Sequence, residues 1–196
     1  MTANRDLILA GVAGGGEAGN ALAWFAPKGT TLPTAIDDDL DAAFLDSGWV
    51  TEDGLKKAVS ESTNDVKGFG TQVPLRVLTT ESKVTFEIAF LESGVVPLSI
   101  YNRLSIDTGD ILTPDGNGRV DFTEGRRRTI EYAAVFEIVD GLNLIRAVVP
   151  ALQVTDRKEQ SIKAGDPITY GVTLTAYPDD EGVAIHWFYQ LDALAS

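Results

Sequence analysis

The sequence predicts a mainly β fold: an antiparallel β-sandwich or barrel with one or two short flanking helices. Three observations predict it. After residue 49 the apolar residues recur with period two, as in KVTFEIAFLE (83–92) and ITYGVTLTAYP (168–178), which is the pattern of half-buried strands. Turn-forming pairs punctuate those runs at Asp53-Gly54, Asp115-Gly116, Asn117-Gly118 and Asp140-Gly141. Helical signals are confined to two short stretches, so strands outnumber helices by eight or nine to one or two.

The elements follow in order. The early run DLILAGVA reads as a short strand that GGGEAG (14–19) breaks, and Ala21 to Ala26 resumes an apolar run with Trp24 and Phe25. PKGTTLPT (27–34) is a loop, with two prolines and a glycine. DDDLDAAFLDSG (37–48) predicts a helix: Thr34 or Asp37 can cap it, acidic residues crowd its first turn, Leu40, Phe44 and Leu45 form an apolar face, and Gly48 can end it. WVTEDGLKKAVS (49–60) predicts a hairpin about Asp53-Gly54. Residues 60–75 predict a long loop, as do residues 27–36; both exceed the usual connector length. In 83–92, Val84, Phe86, Ile88 and Phe90 share one face, while Lys83, Thr85 and Glu87 share the other. ESGVVPLSIYNR (92–103) predicts a short helix starting near Gly94, because Pro97 suits a first helical turn and no central strand. Residues 127–155 predict strand, Asp140-Gly141 turn, strand; 168–178 and VAIHWFYQL (183–191) supply the last two strands.

Composition bounds the chemistry. The chain has 196 residues, 44% of them hydrophobic, which suffices for one core-bearing domain. It has no cysteine, so disulfides, thiolate metal sites and cysteine nucleophiles are excluded. With 29 acidic against 16 basic residues, the net charge of −13 repels phosphate and anionic lipid, which argues against sequence-reading of nucleic acid. No apolar run approaches the ~20 residues that span a bilayer, and the N-terminus lacks a signal-peptide layout. The expectation is a soluble protein made in the cytoplasm.

TPDGNGRVDFTE (113–124) resembles most of a calcium-binding EF-hand loop. Asp115, Asn117, Asp121 and Glu124 fall at loop positions 3, 5, 9 and 12, with Gly118 at the turning position 6. Thr113 occupies position 1, where the motif needs a carboxylate, and the flanks predict a broken segment and a strand instead of two helices. The preferred reading is a pair of β-turns within a hairpin insert near 105–125. The lone His186 has neither cysteine nor a second histidine with which to build a zinc or base–nucleophile site. GVAGGGEAG lacks the Lys-Ser/Thr of a phosphate-cradling loop. Nothing marks a glycosidase-like carboxylate pair. The reading is a non-enzyme with no metal and no cofactor.

Two longer stretches carry a family resemblance. GTTLPTAIDDDLDAAFLDSGWVTEDGL (29–55) and FEIVDGLNLIRAVVPALQVTDRKEQSIKAGDPITYGVTLTAYPDDEGVAIHWFY (136–189) resemble, in order and spacing, the beginning and end of the major tail proteins of long-tailed bacteriophages. The resemblance implies one tail-tube domain over 1–196, with a fold similar to the ring-forming tube of type VI secretion. It implies a virion structural protein whose partner is itself, in hexameric rings stacked into a hollow tail tube. Other tail proteins would meet the tube ends, phage DNA would pass through the lumen without specific binding, and no membrane would be involved. The insert at 105–125 has no counterpart in the family pattern. Under this reading the expected assembly contacts are Thr31, Leu32 and Pro33 in the first long loop, and the acidic residues Asp37, Asp38 and Asp39 against the basic residues Lys56, Lys57, Arg126, Arg127 and Arg128. The alternatives are a monomeric β-sandwich module binding sugar or calcium, and a related ring-forming tube or terminator protein.

Overall fold

The computed structural model describes residues 9, 12–13, 22–70, 72–125 and 128–194. Nine strands form one antiparallel sheet: β1 (Val12–Ala13), β2 (Ala23–Pro27), β3 (Leu45–Asp46), β4 (Lys56–Val66), β5 (Arg76–Phe90), β6 (Glu131–Asp140), β7 (Asn143–Arg157), β8 (Tyr170–Tyr177) and β9 (His186–Gln190). Helix α1 (Val95–Asn102) follows β5, and a single 3₁₀ turn (Asp192–Leu194) follows β9. The strand order is β3-β2-β6-β7-β8-β5-β4, with β1 also pairing β6 and β9 also pairing β7.

The sheet curls until its ends meet. Phe25 of β2 packs edge-on against Phe90 of β5 at 6.0 Å between ring centres, although three strands separate them in the order. The segment after β3 completes the circuit: Leu45 pairs Phe25, Ser47 N–H donates to Ala23, and Val50 bridges Phe90. Inside the curl, the even residues of β5 (Phe86, Ile88, Phe90), those of β6 (Tyr132, Ala134, Phe136) and those of β8 (Tyr170, Val172, Leu174, Ala176) form the main core. Val96 and Ile100 of α1 close one end of it. The period-two reading of 83–92 and 168–178 is thus realised residue by residue, as is the Asp140-Gly141 turn, where Gly141 takes φ 62° between the paired Asp140 and Asn143. Pro150 is tolerated in β7 because it falls at a bulge: Tyr132 pairs Leu152 but Ala134 pairs Val149, leaving one extra residue on β7. Helix α1 starts after Gly94 with Pro97 in its first turn, as expected.

Four expectations are corrected. Residues 37–48 are not a helix: turns alternate with irregular chain until Leu45 enters β3. The Asp38 carboxylate accepts hydrogen bonds from Thr34 N–H (2.7 Å), Ala35 N–H (2.9 Å) and the Thr34 hydroxyl (2.9 Å), so it organises a tight turn where a helix would have begun. The Asp53-Gly54 turn exists, with Gly54 N–H bonded to Thr51, but its flanks do not pair with each other. Val50 and Lys56 both pair with β5, opposite Phe90 and Glu87, so residues 51–55 form an excursion along one strand and not a hairpin tip. Residues 60–75, expected as a loop, are the outer part of the β4–β5 hairpin. The insert at 105–125 holds turns but no strand pair. The early DLILAGVA run lies mostly outside the described residues; its last two, Val12 and Ala13, form β1.

Candidate assembly surfaces

The two ends of the body differ. The pairs Phe90–Tyr170 and Val172–Arg157 mark one end, where α1 packs. The Asp140–Asn143 turn marks the other, and the β4–β5 hairpin runs out beyond Val84–Ala176 in that same direction. We call them the helix end and the arm end.

The arm comprises β4 and the first half of β5. Beyond Val84, β5 has no third strand beside it. At ~3.3 Å per residue, residues 60–66 carry the arm ~23 Å past its last pairing with β8. Every residue of β4 and Arg76–Lys83 of β5 is exposed on both faces. The register shifts between Ser62 and Thr63, and the extra residue Thr80 bonds its hydroxyl to Ser62 O at 3.1 Å. Among the described residues, fifteen large hydrophobic side chains are exposed, and seven belong to this 28-residue segment: Val59, Val66, Phe69, Val73, Leu75, Val77 and Leu78. Phe69, at the tip, is fully exposed. Such concentration on a free hairpin marks a contact surface, and a two-stranded ribbon alone is at best marginally stable in water. The segment carries five basic and three acidic residues, a net +2 on a chain of −13.

Residues 28–44 run as a strap over the outer face of the sheet, from Lys28 beside Glu131 towards the arm end. Phe44 is buried there with Ala26, Ala133, Val135 and Val148, and Leu32 and Leu40 pack against this second, smaller core. Arg146 of β7 fastens the strap. Its Nε donates to the Glu137 carboxylate at 2.6 Å, and its Nη1 donates to Ala35 O at 3.0 Å and Asp38 O at 2.7 Å. Of the expected contacts in this segment, Thr31 is exposed while Leu32 is half-buried and Pro33 buried; Asp37 and Asp39 are exposed. The Asp38 carboxyl titrates below its ordinary range, chiefly because of the Thr34 N–H bond.

The helix end carries a groove of about 700 Å³ between α1, the insert and the chain after β7, lined in part by Leu98, Phe122, Ile162 and Ile168. Arg157 spans its wall, bonded to Glu124 at 2.8 Å and lying 5.3 Å from the Tyr101 ring centre. Tyr101 in turn donates its hydroxyl to Lys158 O. Arg128 is exposed just ahead of β6, at this same end; Arg126 and Arg127 lie outside the described residues. Glu137 lies six positions along β6 from Glu131, so Arg128 and the Asp38 turn that Arg146 holds beside Glu137 stand ~20 Å apart along the strand. The acidic turn and Arg128 therefore do not meet within one chain. Lys56 and Lys57 have partners of their own: Lys56 reaches Asp53 at 3.4 Å, and Lys57 lies 4.7 Å from the Trp187 ring centre.

The loop resembling a calcium site is a turn. The Asp115 carboxylate accepts N–H bonds from Asn117 and Arg119, both at 2.8 Å, and Gly118 N–H bonds Asp115 O. These bonds, that from Arg119 first, lower the Asp115 pKa. Glu124 is engaged by Arg157, away from that turn. Among the described residues, no group of three His, Asp or Glu side chains is placed to hold a metal. His186 sits 3.7 Å from Asp179, whose carboxylate orders the turn before β9 by accepting from Glu181 and Val183 N–H. Sequence reasoning missed Arg146 and the apolar arm; the mixed Val/Thr/Leu composition of LRVLTT was the available signal for the arm. Among the described residues no helix is long and apolar enough to cross a membrane.

A structure of the virion of a native gene transfer agent particle contains a similar chain, with 9% identity, a TM-score of 0.39, and coverage of 77% of this chain and 92% of that one. Among curated proteins none matches the sequence significantly. The family model described as phage tail tube protein matches residues 1–194, nearly the full length, and the chain therefore belongs to the phage tail tube proteins.

Proposed function

We propose that copies of this chain close into rings, and that the rings stack into the hollow tube through which phage DNA leaves the particle. Six copies per ring is the number the family resemblance implies. The observation that carries the proposal is the free arm: a projecting ribbon, exposed on both faces and studded with uncovered apolar side chains, that needs neighbours to cover it. The outer edges of β4 and β9, each paired on one side only, offer backbone groups for strand pairing between copies within a ring. The opposed ends suit head-to-tail stacking, in which a surface on one copy meets a different surface on the next. Stacking would bring the exposed Asp37 and Asp39 of one ring towards the Arg126–Arg128 tract of the adjacent one. A ring of six would carry a formal charge of −78, six times −13, so a wall of that sign gives DNA phosphates nothing to adhere to. The fold as a support for assembly, and not any constellation of catalytic groups, is the basis for reading the chain as a non-enzyme.

Trimming the arm tests this. Replacing residues 61–82 by Asn-Gly joins Ser60 to Lys83, which are already paired, through a favoured two-residue turn. The trimmed chain is expected to fold, with an unchanged near-ultraviolet circular dichroism envelope, and to remain a monomer where the full chain forms tubes by negative-stain microscopy. Tubes of normal bore from the trimmed chain would refute the role of the arm. A full-length chain that stays monomeric at high concentration would refute assembly itself.

A further inference from the structure

We propose that the helix end binds a small tetrahedral oxyanion, of the phosphate class, in the cavity that Arg103, Arg128 and Arg157 share. The three guanidiniums come from three separate elements: Arg103 caps the C-terminus of α1, Arg128 stands just ahead of β6, and Arg157 ends β7. They line one cavity of about 220 Å³, and Arg103 and Arg128 also line a second, of about 130 Å³. At ~30 Å³ per water the larger holds about seven waters, room enough for an ion of five heavy atoms with part of its hydration. The site belongs to the single chain and does not rest on ring assembly.

Charge sets these two cavities apart. The groove of about 700 Å³ carries three basic and three acidic side chains. The hollow between Asp53, Lys56, Glu87 and Lys158 carries two of each. The 220 Å³ cavity instead sets three arginines against Glu124 alone, and the 130 Å³ cavity has two arginines and no carboxylate. On a chain of −13 this is a local reversal of sign. The whole chain repels a polyanion, but salt screens charges beyond ~8 Å, so a small ion in the cavity responds to the guanidiniums beside it. Arginine meets an oxyanion with parallel, charge-assisted N–H bonds.

The geometry is held in place. Among the described residues Arg103 is the one non-glycine with positive φ, 55°, a conformation that favours glycine at a helix end. Its neighbour pins it there: Leu104 N–H donates to Ser99 O, and the Tyr132 hydroxyl donates to Leu104 O, both at 2.8 Å. Arg157 is oriented by Glu124 and by the Tyr101 ring. A helix C-terminus opposes an anion, but the carbonyls of Leu98, Ser99 and Ile100 are already taken by Asn102 Nδ2, Leu104 N–H and Arg103 N–H. Thr123 and Thr129 add hydroxyl groups to the two cavity walls.

The test is isothermal titration calorimetry of the unassembled full chain with inorganic phosphate, sodium chloride being adjusted to hold the ionic strength constant. The expected result is one saturable site. Arg128→Gln removes an exposed guanidinium, and Arg103→Gly removes another while supplying the residue that φ 55° favours, so both variants are expected to keep the parent's circular dichroism spectrum. Each should weaken phosphate binding at least ~tenfold, whereas Lys67→Gln on the arm should leave it unchanged. No saturable heat below ~10 mM phosphate, undiminished binding in both arginine variants, or an equal loss in Lys67→Gln would overturn the site. So would a short DNA duplex that binds more tightly than phosphate through the same arginines, since the ligand would then be nucleic acid.

Discussion

Removing Arg146 should cost the monomer far more than an ordinary surface arginine would. The guanidinium is 9% exposed and its partner Glu137 is 15% exposed, so both charges are largely out of water. Arg146→Ala leaves the Glu137 carboxylate without its cation and strips the donors from Ala35 O and Asp38 O, which hold the strap on the sheet. Breaking a buried pair by deleting one partner costs about 3–5 kcal/mol. For a domain of this size, at ~2–4 °C per kcal/mol, the melting temperature should drop by ~6–20 °C. The assay is urea denaturation at concentrations where the chain is monomeric, with limited proteolysis to report release of residues 28–44. Arg146→Lys keeps the charge but cannot bond the carboxylate and both carbonyls from one planar group, so an intermediate loss of ~1–2 kcal/mol is expected. Arg146→Ala combined with Glu137→Ala should cost less than the sum of the two single changes by ~0.5–3 kcal/mol. A single Arg146→Ala variant that stays within ~0.5 kcal/mol of the parent, with a strap no more cleavable, would falsify the clamp.

The other predictions concern the fold around the two ends. Tyr132→Phe removes the buried hydroxyl that donates to Leu104 O at 2.8 Å, orphaning that carbonyl, and should lower stability by ~1–2 kcal/mol in the same denaturation experiment; an unchanged midpoint would refute it. Gly48→Ala should destabilise by at least ~1–2 kcal/mol, because Gly48 has φ 71° and a Cβ there would overlap the Glu92 carboxylate, which accepts Trp49 N–H at 2.7 Å. The pH response of the strap has a definite sign. Asp38 has a folded pKa below its ordinary 3.8, so its contribution is complete above that value and is lost as pH falls from about 4 through the folded pKa. Melting temperature followed from pH 7 to pH 3 should therefore fall less steeply on the acid side in Asp38→Asn than in the parent; parallel curves would show that the Thr34 and Ala35 bonds do not favour the charged form.

How much of this was legible depended on which physical effect chose the conformation. Where burial chose it, the sequence was readable. Val84, Phe86, Ile88 and Phe90 alternate because one face of β5 meets the core, and the even residues of β8 answer them. Pro97 announced α1 because proline is accommodated in a first helical turn. Residues 37–48 misled because their acidic start is equally good at capping a helix and at closing a turn. The decision came from Arg146, 108 residues away from Asp38, which accepts the strap only in its turn conformation. The arm was invisible to periodicity for another reason. Both of its faces are exposed in the single chain, so no alternation between apolar and polar positions was required of it. Among the expected contact residues, Asp37 and Asp39 are exposed at the arm end, whereas Pro33 and the Asp38 carboxylate serve the strap itself.

Under the proposed assembly, the make-up of the arm would also let single chains be held apart before they assemble. Its apolar residues are spread along a ribbon and over both faces, interrupted by Lys56, Lys57, Glu61, Asp65, Lys67 and Arg76, instead of gathered into one flat patch. The body behind it is strongly acidic, so two chains meeting in arbitrary orientation repel. A ribbon that is marginal alone loses conformational freedom when it docks, which weakens each single contact. In the proposed tube that weakness would be offset by number, since every chain of a ring would engage its arm at once and each contact would raise the effective concentration of the others. Weak, oriented and repeated contacts of this kind would favour orderly stacking over random aggregation, and they would place the decisive information in the arm, a part of the chain exposed on both faces.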